Sequence, residues 1–328
     1  PRHSTWPKLG VETGVIAVLV LLLAALVTHL RANRRERAAA ADFPPEGQFL
    51  DVQGTRMHAV VAGSGPDVVL IHGSSGSVRD FTFSMVPALA KHYRVIAIDR
   101  PGMGWSDLHQ GGETLAIQAR LLQATAEALG ASKPIVVGQS YGGAVALAWA
   151  LDFPQNIAAL VTISAPSHPW TTGLGAYYTV LSHPLGQAVA VPLLTAFAPD
   201  QKVNAEVEAV FRPQPAPTGY ARHFAPALSL RRRSMRANAR MRRGLHSEIA
   251  EMVPRYNEIS VPVEIIHGTE DVTVLAGIHS AKLADDIEGA NMTLLPGIGH
   301  MPHHVAMPDV IAAINRAAER AALRGAGK

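Results

Sequence analysis

Apolar residues are distributed along this chain in three ways, and each predicts a different kind of structure. From Thr13 to Leu30 there is no Asp, Glu, Lys or Arg, and Val15–Val27 is continuously apolar. At a helical rise this run of eighteen residues reaches about 27 Å, close to the ~30 Å hydrocarbon core of a bilayer. Residues 13–30 therefore predict one transmembrane helix, after a tail over 1–12. From residue 48 onward, short continuous apolar runs alternate with helically spaced ones. The stretch from about 167 to 255 follows neither pattern.

The short runs read as strands. Gln48–Val52 and Arg56–Val61 flank Gln53-Gly54, a hairpin signal. Val68–Ile71, Arg94–Ile98, Ile135–Val137, Ala159–Ile163, Val263–Ile266 and Met292–Leu295 follow. Glu113–Leu129, Gly143–Phe153 and Val274–Ile287 carry apolar residues at helical spacing. Apolar strands alternating with helices indicate a mostly parallel sheet covered on both faces, built from 48–166 and 256–325. Between these halves, prolines, aromatics and arginines mix over nearly ninety residues, too many for a structureless loop. Residues 167–255 are expected to form a helical cap. Residues 31–47 read as a basic juxtamembrane helix or linker, broken at Phe43-Pro-Pro-Glu-Gly47.

Ligands on such sheets sit at the carboxyl ends of the strands, where the Gly, Ser, Asp and His clusters of this chain fall. The sharpest of these is Gly138-Gln-Ser-Tyr-Gly142, entered by a β-branched run and left by an Ala-rich helical pattern. A strand turning tightly into a helix exposes Ser140 Oγ at the sheet edge, with small neighbours where a Cβ would clash. The helix amino terminus behind it favours developing negative charge.

Composition narrows the partners. Hydrophobic residues make up 48% and charged ones 17%, which supports a sizeable core and excludes disorder. The net charge of +3 is too small to imply a polyanionic partner. Residues 231–243 nevertheless hold seven arginines and no acid. Arg232, Arg236, Arg240 and Arg243 fall near one helical face, which suits either anionic lipid headgroups or a solvated, internally paired helix. Aromatics do not interleave with this run, so nucleic acid is not an expected partner. The chain has no cysteine, which removes disulfides, thiolate catalysis and cysteine-ligated zinc. Lys8 and Ala39-x-Ala41 suit a cleaved signal peptide, but Arg31, Arg34, Arg35 and Arg37 lie between the apolar run and any cleavage site. An uncleaved single-pass anchor is the expectation. Those arginines, against Arg2 and Lys8, place the following domain on the cytoplasmic side by a margin that the free amine and His3 narrow.

Across roughly 48–325 the chain resembles the α/β-hydrolase superfamily. The resemblance rests on His72-Gly-Ser-Ser-Gly76, Asp99-Arg-Pro-Gly-Met-Gly-Trp-Ser106, Gly138-Gln-Ser-Tyr-Gly142, His267-Gly-Thr-Glu-Asp271 and Gly297-Ile-Gly-His300, in that order. It implies an α/β fold with an eight-stranded, mostly parallel sheet, a helical cap insertion and, here, one N-terminal transmembrane helix. It also implies that Ser140 is the nucleophile, His300 the base and Asp271 the acid. The backbone N–H groups of Ser74 and Tyr141 would form the oxyanion hole. His303 and His304 compete with His300, and Glu270 with Asp271, but the family's patterns select the former set. His72 and His267 are expected to close strand ends by hydrogen bonding. A metal site of His300, His303 and His304 lacks a carboxylate at a zinc-protease spacing, so neither metal nor cofactor is expected. Relatives that open epoxides attack with an aspartate, which serine at 140 argues against.

The resulting expectation is a membrane-anchored serine esterase. Its small-molecule ester substrate is either lipid-like, such as a monoacylglycerol, or a simple soluble ester or lactone, and Trp170, Tyr177 and Phe197 of the cap either line an acyl pocket or belong to the cap core. Tyr178 and Phe211 are further candidates there. Carbon–carbon bond hydrolysis, cofactor-free perhydrolysis and a non-catalytic binding role are the alternatives.

Overall fold

The computed structural model describes residues 6–325, with side chains from 13 to 322. Arg2, His3 and Lys8, which bear on orientation, lie outside the described side chains. The strands are β1 (Gln48–Val52), β2 (Thr55–Ala62), β3 (Asp67–Ile71), β4 (Arg94–Ile98), β5 (Ile135–Gln139), β6 (Ala159–Ile163), β7 (Val263–Gly268) and β8 (Asn291–Leu295). They form one sheet in the order β1-β2-β4-β3-β5-β6-β7-β8. β2 pairs antiparallel with β1 and β4, and the pairs from β4 across to β8 are parallel, so the sheet is mixed. The β1–β2 hairpin turns at Gln53 (φ 52°) and Gly54 (φ 74°), the left-handed pair that matches strand twist.

The helices are α1 (Trp6–Asp42), α2 (Arg79–Thr82), α3 (Met85–Leu89), α4 (Leu115–Ala128) and α5 (Tyr141–Asp152), then α6 (Ala176–Ser182), α7 (Val191–Phe197), α8 (Asp200–Ala209), α9 (Tyr220–Phe224), α10 (Pro226–Ser229) and α11 (Arg232–Met252). After β7 come α12 (Ser280–Asp286), α13 (Pro302–Val305) and α14 (Met307–Gly325). Alternate residues of each central strand feed opposite faces. Val69, Ile71, Ile96, Ile98 and Val136 pack with α4 and α5, whereas Val68, Leu70, Val95, Ala97, Ile135 and Val137 pack with α3 and α14. α5 is buried from Tyr141 through Leu151, so its apolar residues run all round the helix.

One expectation changes, and one pair of alternatives narrows. The stretch Val274–Ile287 is helical only from Ser280, because Asp271 Oδ1 accepts from the N–H groups of Thr273 (2.8 Å) and Val274 (2.9 Å) and holds its start in a turn. Of the two forms expected for the basic segment, helix and linker, it takes the helix: α1 continues unbroken to Asp42. This extension is docked. Arg31 and Arg35 donate to the carbonyls of Ala196 and Ala198 (2.7 Å each), Glu36 pairs with Arg232, and Ala39 packs with Ala225 and Leu228. The cap spans α6–α11 and buries Leu181, Val191, Met235 and Ala239 between α6, α7 and α11.

Candidate active site

Ser140 sits between β5 and α5 at φ 51°, ψ −122°, a left-handed backbone that a non-glycine residue adopts only when its surroundings impose it. They do so here. Ser140 N–H donates to Ile163 O (2.8 Å), and Gly143 N–H donates back to Ser140 O (2.8 Å). A Cβ on Gly138 would lie 2.3 Å from Gly142 O, and one on Gly142 would lie 2.1 Å from Ile71 O. Both glycines are therefore required by close approach of backbone.

His300, on the loop after β8, reaches Ser140 Oγ with Nε2 at 3.0 Å and Asp271 Oδ2 with Nδ1 at 2.7 Å. All three side chains are buried. A carboxylate facing Nδ1 puts the proton there, leaving Nε2 to accept from the serine hydroxyl. Burial alone would raise the Asp271 pKa. Hydrogen bonds from His267, His300 and the Val274 amide outweigh it and hold the carboxyl far below its ordinary value. His267 Nε2 lies 3.0 Å from Asp271 Oδ2 and 2.7 Å from Val274 O, so that nitrogen carries a proton, while Nδ1 accepts from Ser280 Oγ (2.6 Å). His267 thus holds Asp271 in place as well as closing β7.

The loop after β3 lies against Ser140: a Cβ on Gly73 would be 3.2 Å from Ser140 Cβ. Buried Arg100 fixes its orientation, with Nε donating to His72 O (3.0 Å) and Nη2 to Gly73 O (2.9 Å). Because the peptide is trans, tying Gly73 C=O to Arg100 turns the Ser74 N–H the opposite way. His72 Nε2 accepts from the Arg100 amide at 3.0 Å. Burial, and then the Arg100 charge, lower its pKa to about 4, which keeps the imidazole a neutral acceptor. The Arg100 guanidinium also lies 4.4 Å from the ring of Tyr141, the first residue of α5, whose N–H is among the first-turn groups without an intrahelical partner. From the cap, Asn238 on α11 accepts from Ser75 N–H (3.0 Å) and donates to Ser75 Oγ (2.9 Å), and Ser229 Oγ donates to Ser75 O. Ser74 Oγ is buried with no partner among the described residues.

The structure does not assemble the expected acyl pocket. Tyr177 and Phe197 are 53% and 45% exposed; Tyr177 rests on Tyr178, and Arg31 of α1 covers Phe197. Packing of α6 and α7 onto α11 through Leu181 and Val191 leaves these rings outward. Trp170 packs edge-on against His246 and His279, and Phe211 is buried with Tyr220 and Met301. The arginine run is mostly paired within the protein. Arg232 meets Glu36 (2.7 Å), Arg240 meets Glu113 (2.7 Å), and Arg236 donates to Gln187 O. Arg243 is exposed. A cavity of about 360 Å³ opens at the seam of α1 and the cap, lined by Asn33, Glu36, Arg37, Ala40, Trp105, Arg231 and Arg233, and no triad residue lines it.

His303 and His304 turn away from His300 toward Asp80 on α2, at 3.2 and 2.8 Å. Ligand atoms of these three residues lie within 4.8 Å of one another, close enough to hold a metal. Their hydrogen bonding already accounts for the arrangement, since Tyr220 O–H also donates to Asp80 (2.7 Å) and Ser84 Oγ lies 3.2 Å from His304 Nδ1. Arg100, Asn238 and Asp80 were not legible as site residues.

The family described as alpha/beta hydrolase fold matches residues 66–306. An uncharacterized protein of Mycobacterium tuberculosis is 29% identical over 281 residues, covering 80% of this chain and 77% of that protein. The 2-hydroxy-6-oxo-2,4-heptadienoate hydrolase of Pseudomonas putida is 36% identical over 132 residues, 38% of this chain and 46% of that enzyme. Among solved structures, an esterase from Rhodococcus sp. ECU1013 superposes with a TM-score of 0.64 at 20% identity, over 83% of this chain and 98% of that one.

Proposed function

The chain belongs to the α/β-hydrolase fold family, and on that premise we propose that it is a membrane-anchored serine hydrolase of carboxylic esters. The observation that carries this is the unbroken hydrogen-bonded chain from Asp271 through His300 to Ser140 Oγ at a left-handed turn. A serine hydroxyl is a poor nucleophile until a base removes its proton during attack. His300 Nε2 takes that proton as Ser140 Oγ adds to the ester carbonyl, and ionised Asp271 stabilises the imidazolium. The N–H groups of Ser74 and Tyr141 receive the oxyanion, each worth roughly 2.7–4 kcal/mol of barrier. His300 returns the proton to the departing alcohol, then activates water to release the acid from the acyl-enzyme.

α1 is long and apolar enough to cross a membrane. Its role here is a single-pass anchor with the catalytic domain on the cytoplasmic side, and the substrate is a lipid-like ester of the monoacylglycerol kind. Hydrolysis of an ester series from acetate to long-chain acyl and monoacylglycerol, by the protein and by Ser140→Ala, tests this. The expected result is turnover rising with chain length and falling at least about 10⁴-fold in the variant. Turnover restricted to short esters removes the lipid claim, and turnover surviving in Ser140→Ala removes the mechanism. The likeness to the Pseudomonas putida enzyme favours a second reading, carbon–carbon bond hydrolysis on the same triad. Turnover of vinylogous dienone acids with inert esters would select it.

A further inference from the structure

From Phe153 to Pro199 the chain carries no Asp, Glu, Lys or Arg. Part of this stretch is buried sheet, but the part that forms α6, the Gly186–Ala190 turn and α7 lies on the outside of the cap. There Tyr177, Val180, Leu185, Val189, Leu193 and Phe197 are 45–70% exposed. Ala176–Ser182 and Gly186–Phe197 are together apolar enough for a membrane span, yet they bend by 92° and pack on α11 through Leu181 and Val191. Such an elbow suits the plane of an interface, with its apolar side among acyl chains. An uncharged, outward apolar face of this size is otherwise rare on a soluble domain.

The position of the elbow relative to α1 names what covers it. Arg31 is the first charged residue after the apolar run, and its guanidinium lies 5.1 Å from the Phe197 ring centroid while Nε donates to Ala196 O. Arg35, one turn later, donates to Ala198 O and pairs with Asp200, the first acid after the uncharged stretch. The carboxyl end of α7 is thereby held within about 8 Å, measured along the helix axis, of the end of the span. Charge begins at the same level on both segments. We propose that the exposed face of the α6–α7 elbow is seated in the interface of the bilayer that α1 spans.

This rests on the reading of α1 as a span, and it deepens the reading of the substrate. The elbow packs on α11, and Asn238 of that helix holds the oxyanion loop. Two helix layers, the elbow itself and α11, or about 20 Å, separate the bilayer seat from that loop. The enzyme would therefore draw amphiphiles whose ester group lies at headgroup depth.

The chain has no cysteine, so single labels can be placed cleanly in the full-length protein in phosphatidylcholine vesicles. Leu22→Cys reports the span, Leu185→Cys and Val189→Cys the elbow, and Lys133→Cys, exposed before β5, the aqueous side. Each would carry an environment-sensitive dye, read by quenching from nitroxide lipids. Quenching at 22, 185 and 189 but not 133 is the expected result. Quenching at 22 alone overturns the elbow proposal and leaves the anchor intact, whereas no quenching at any of the four removes the anchor and the proposal together. A Leu185→Glu/Val189→Glu variant should hydrolyse vesicle-borne monoacylglycerol roughly tenfold more slowly, with an unchanged rate on a water-soluble acetate ester. Equal rates on both substrates relative to the unmodified protein would overturn the proposal.

Discussion

The strand ends that carry Ser140 and Asp271 are fixed by backbone, of their own motifs and of the neighbouring strands, whereas the proposed oxyanion loop is fixed by side chains arriving from distant segments. Ser140 is locked by Gly138, Gly142 and the Gly143 amide, and Asp271 by the Thr273 and Val274 amides. The loop Gly73–Gly76 depends instead on Arg100 and, from the cap, on Asn238 and Ser229. Local locking makes the floor of the site rigid whatever sits above it. Remote locking would make the proposed oxyanion hole conditional on the cap being seated.

The floor is tested with the largest expected effect. Asp271→Asn keeps the two amide contacts through Oδ1 but offers His300 no carboxylate, which favours the wrong tautomer. A loss of about 10⁴-fold in kcat is expected with little change in melting temperature, read from single-turnover ester cleavage. A loss below about tenfold would mean that Asp271 only shapes the turn.

The roof is tested by Asn238→Ala. This residue touches Ser75, one position beyond the proposed donor Ser74, and Ser75 itself has a left-handed φ of 55°. Releasing it should lower kcat by roughly 10- to 100-fold while KM moves little, the signature of an interaction realised in the transition state. Asn238→Asp keeps the acceptor for the Ser75 amide and should recover part of the loss. If kcat is unchanged in the alanine variant, the cap is only a cover and the contrast between floor and roof disappears.

The same division explains what could be read from the sequence. The eight strands, the serine turn and the loops of Asp271 and His300 were legible because short runs and tight turns leave marks at fixed spacing. Arg100 lies inside a motif, yet its partners His72 and Gly73 are 28 and 27 residues away. Asn238 is 163 residues from Ser75. No periodicity encodes such pairings. Composition could not place Tyr177 and Phe197, which stand outward on the cap, because aromatic residues suit a pocket and an outer apolar face equally well. Residues 31–42 carried a basic pattern that suits a helix or a linker, and only the carbonyls of α7 and Glu36–Arg232 reveal that the helix is docked.

Between floor and roof lies a seam whose charge state sharpens the comparison. Asp80 on α2 accepts from Tyr220 of the cap and meets His303 and His304, which follow the base loop. Burial, then the neighbouring His304, lower the His303 pKa from 6.5 to about 4. The sign follows from linkage. Between pH 6.5 and 4 the unfolded chain takes up a proton that folded His303 refuses, so its contribution is complete above 6.5 and lost as pH falls toward 4. His72 and His279 are lowered to about 4 in the same direction, so folding stability should fall steeply through this window. Each such proton contributes a slope of up to about 1.4 kcal/mol per pH unit. Urea unfolding of His303→Gln at pH 7, 6 and 5 should show that slope reduced by one proton's worth, whatever the variant's stability at pH 7. An unchanged slope would mean that His303 is no more reluctant to take a proton folded than unfolded. His303 would then take up its proton beside Asp80 as pH falls through 6.5, so that roof and floor would be joined by charge at pH 5 and by a neutral hydrogen-bond network only above it.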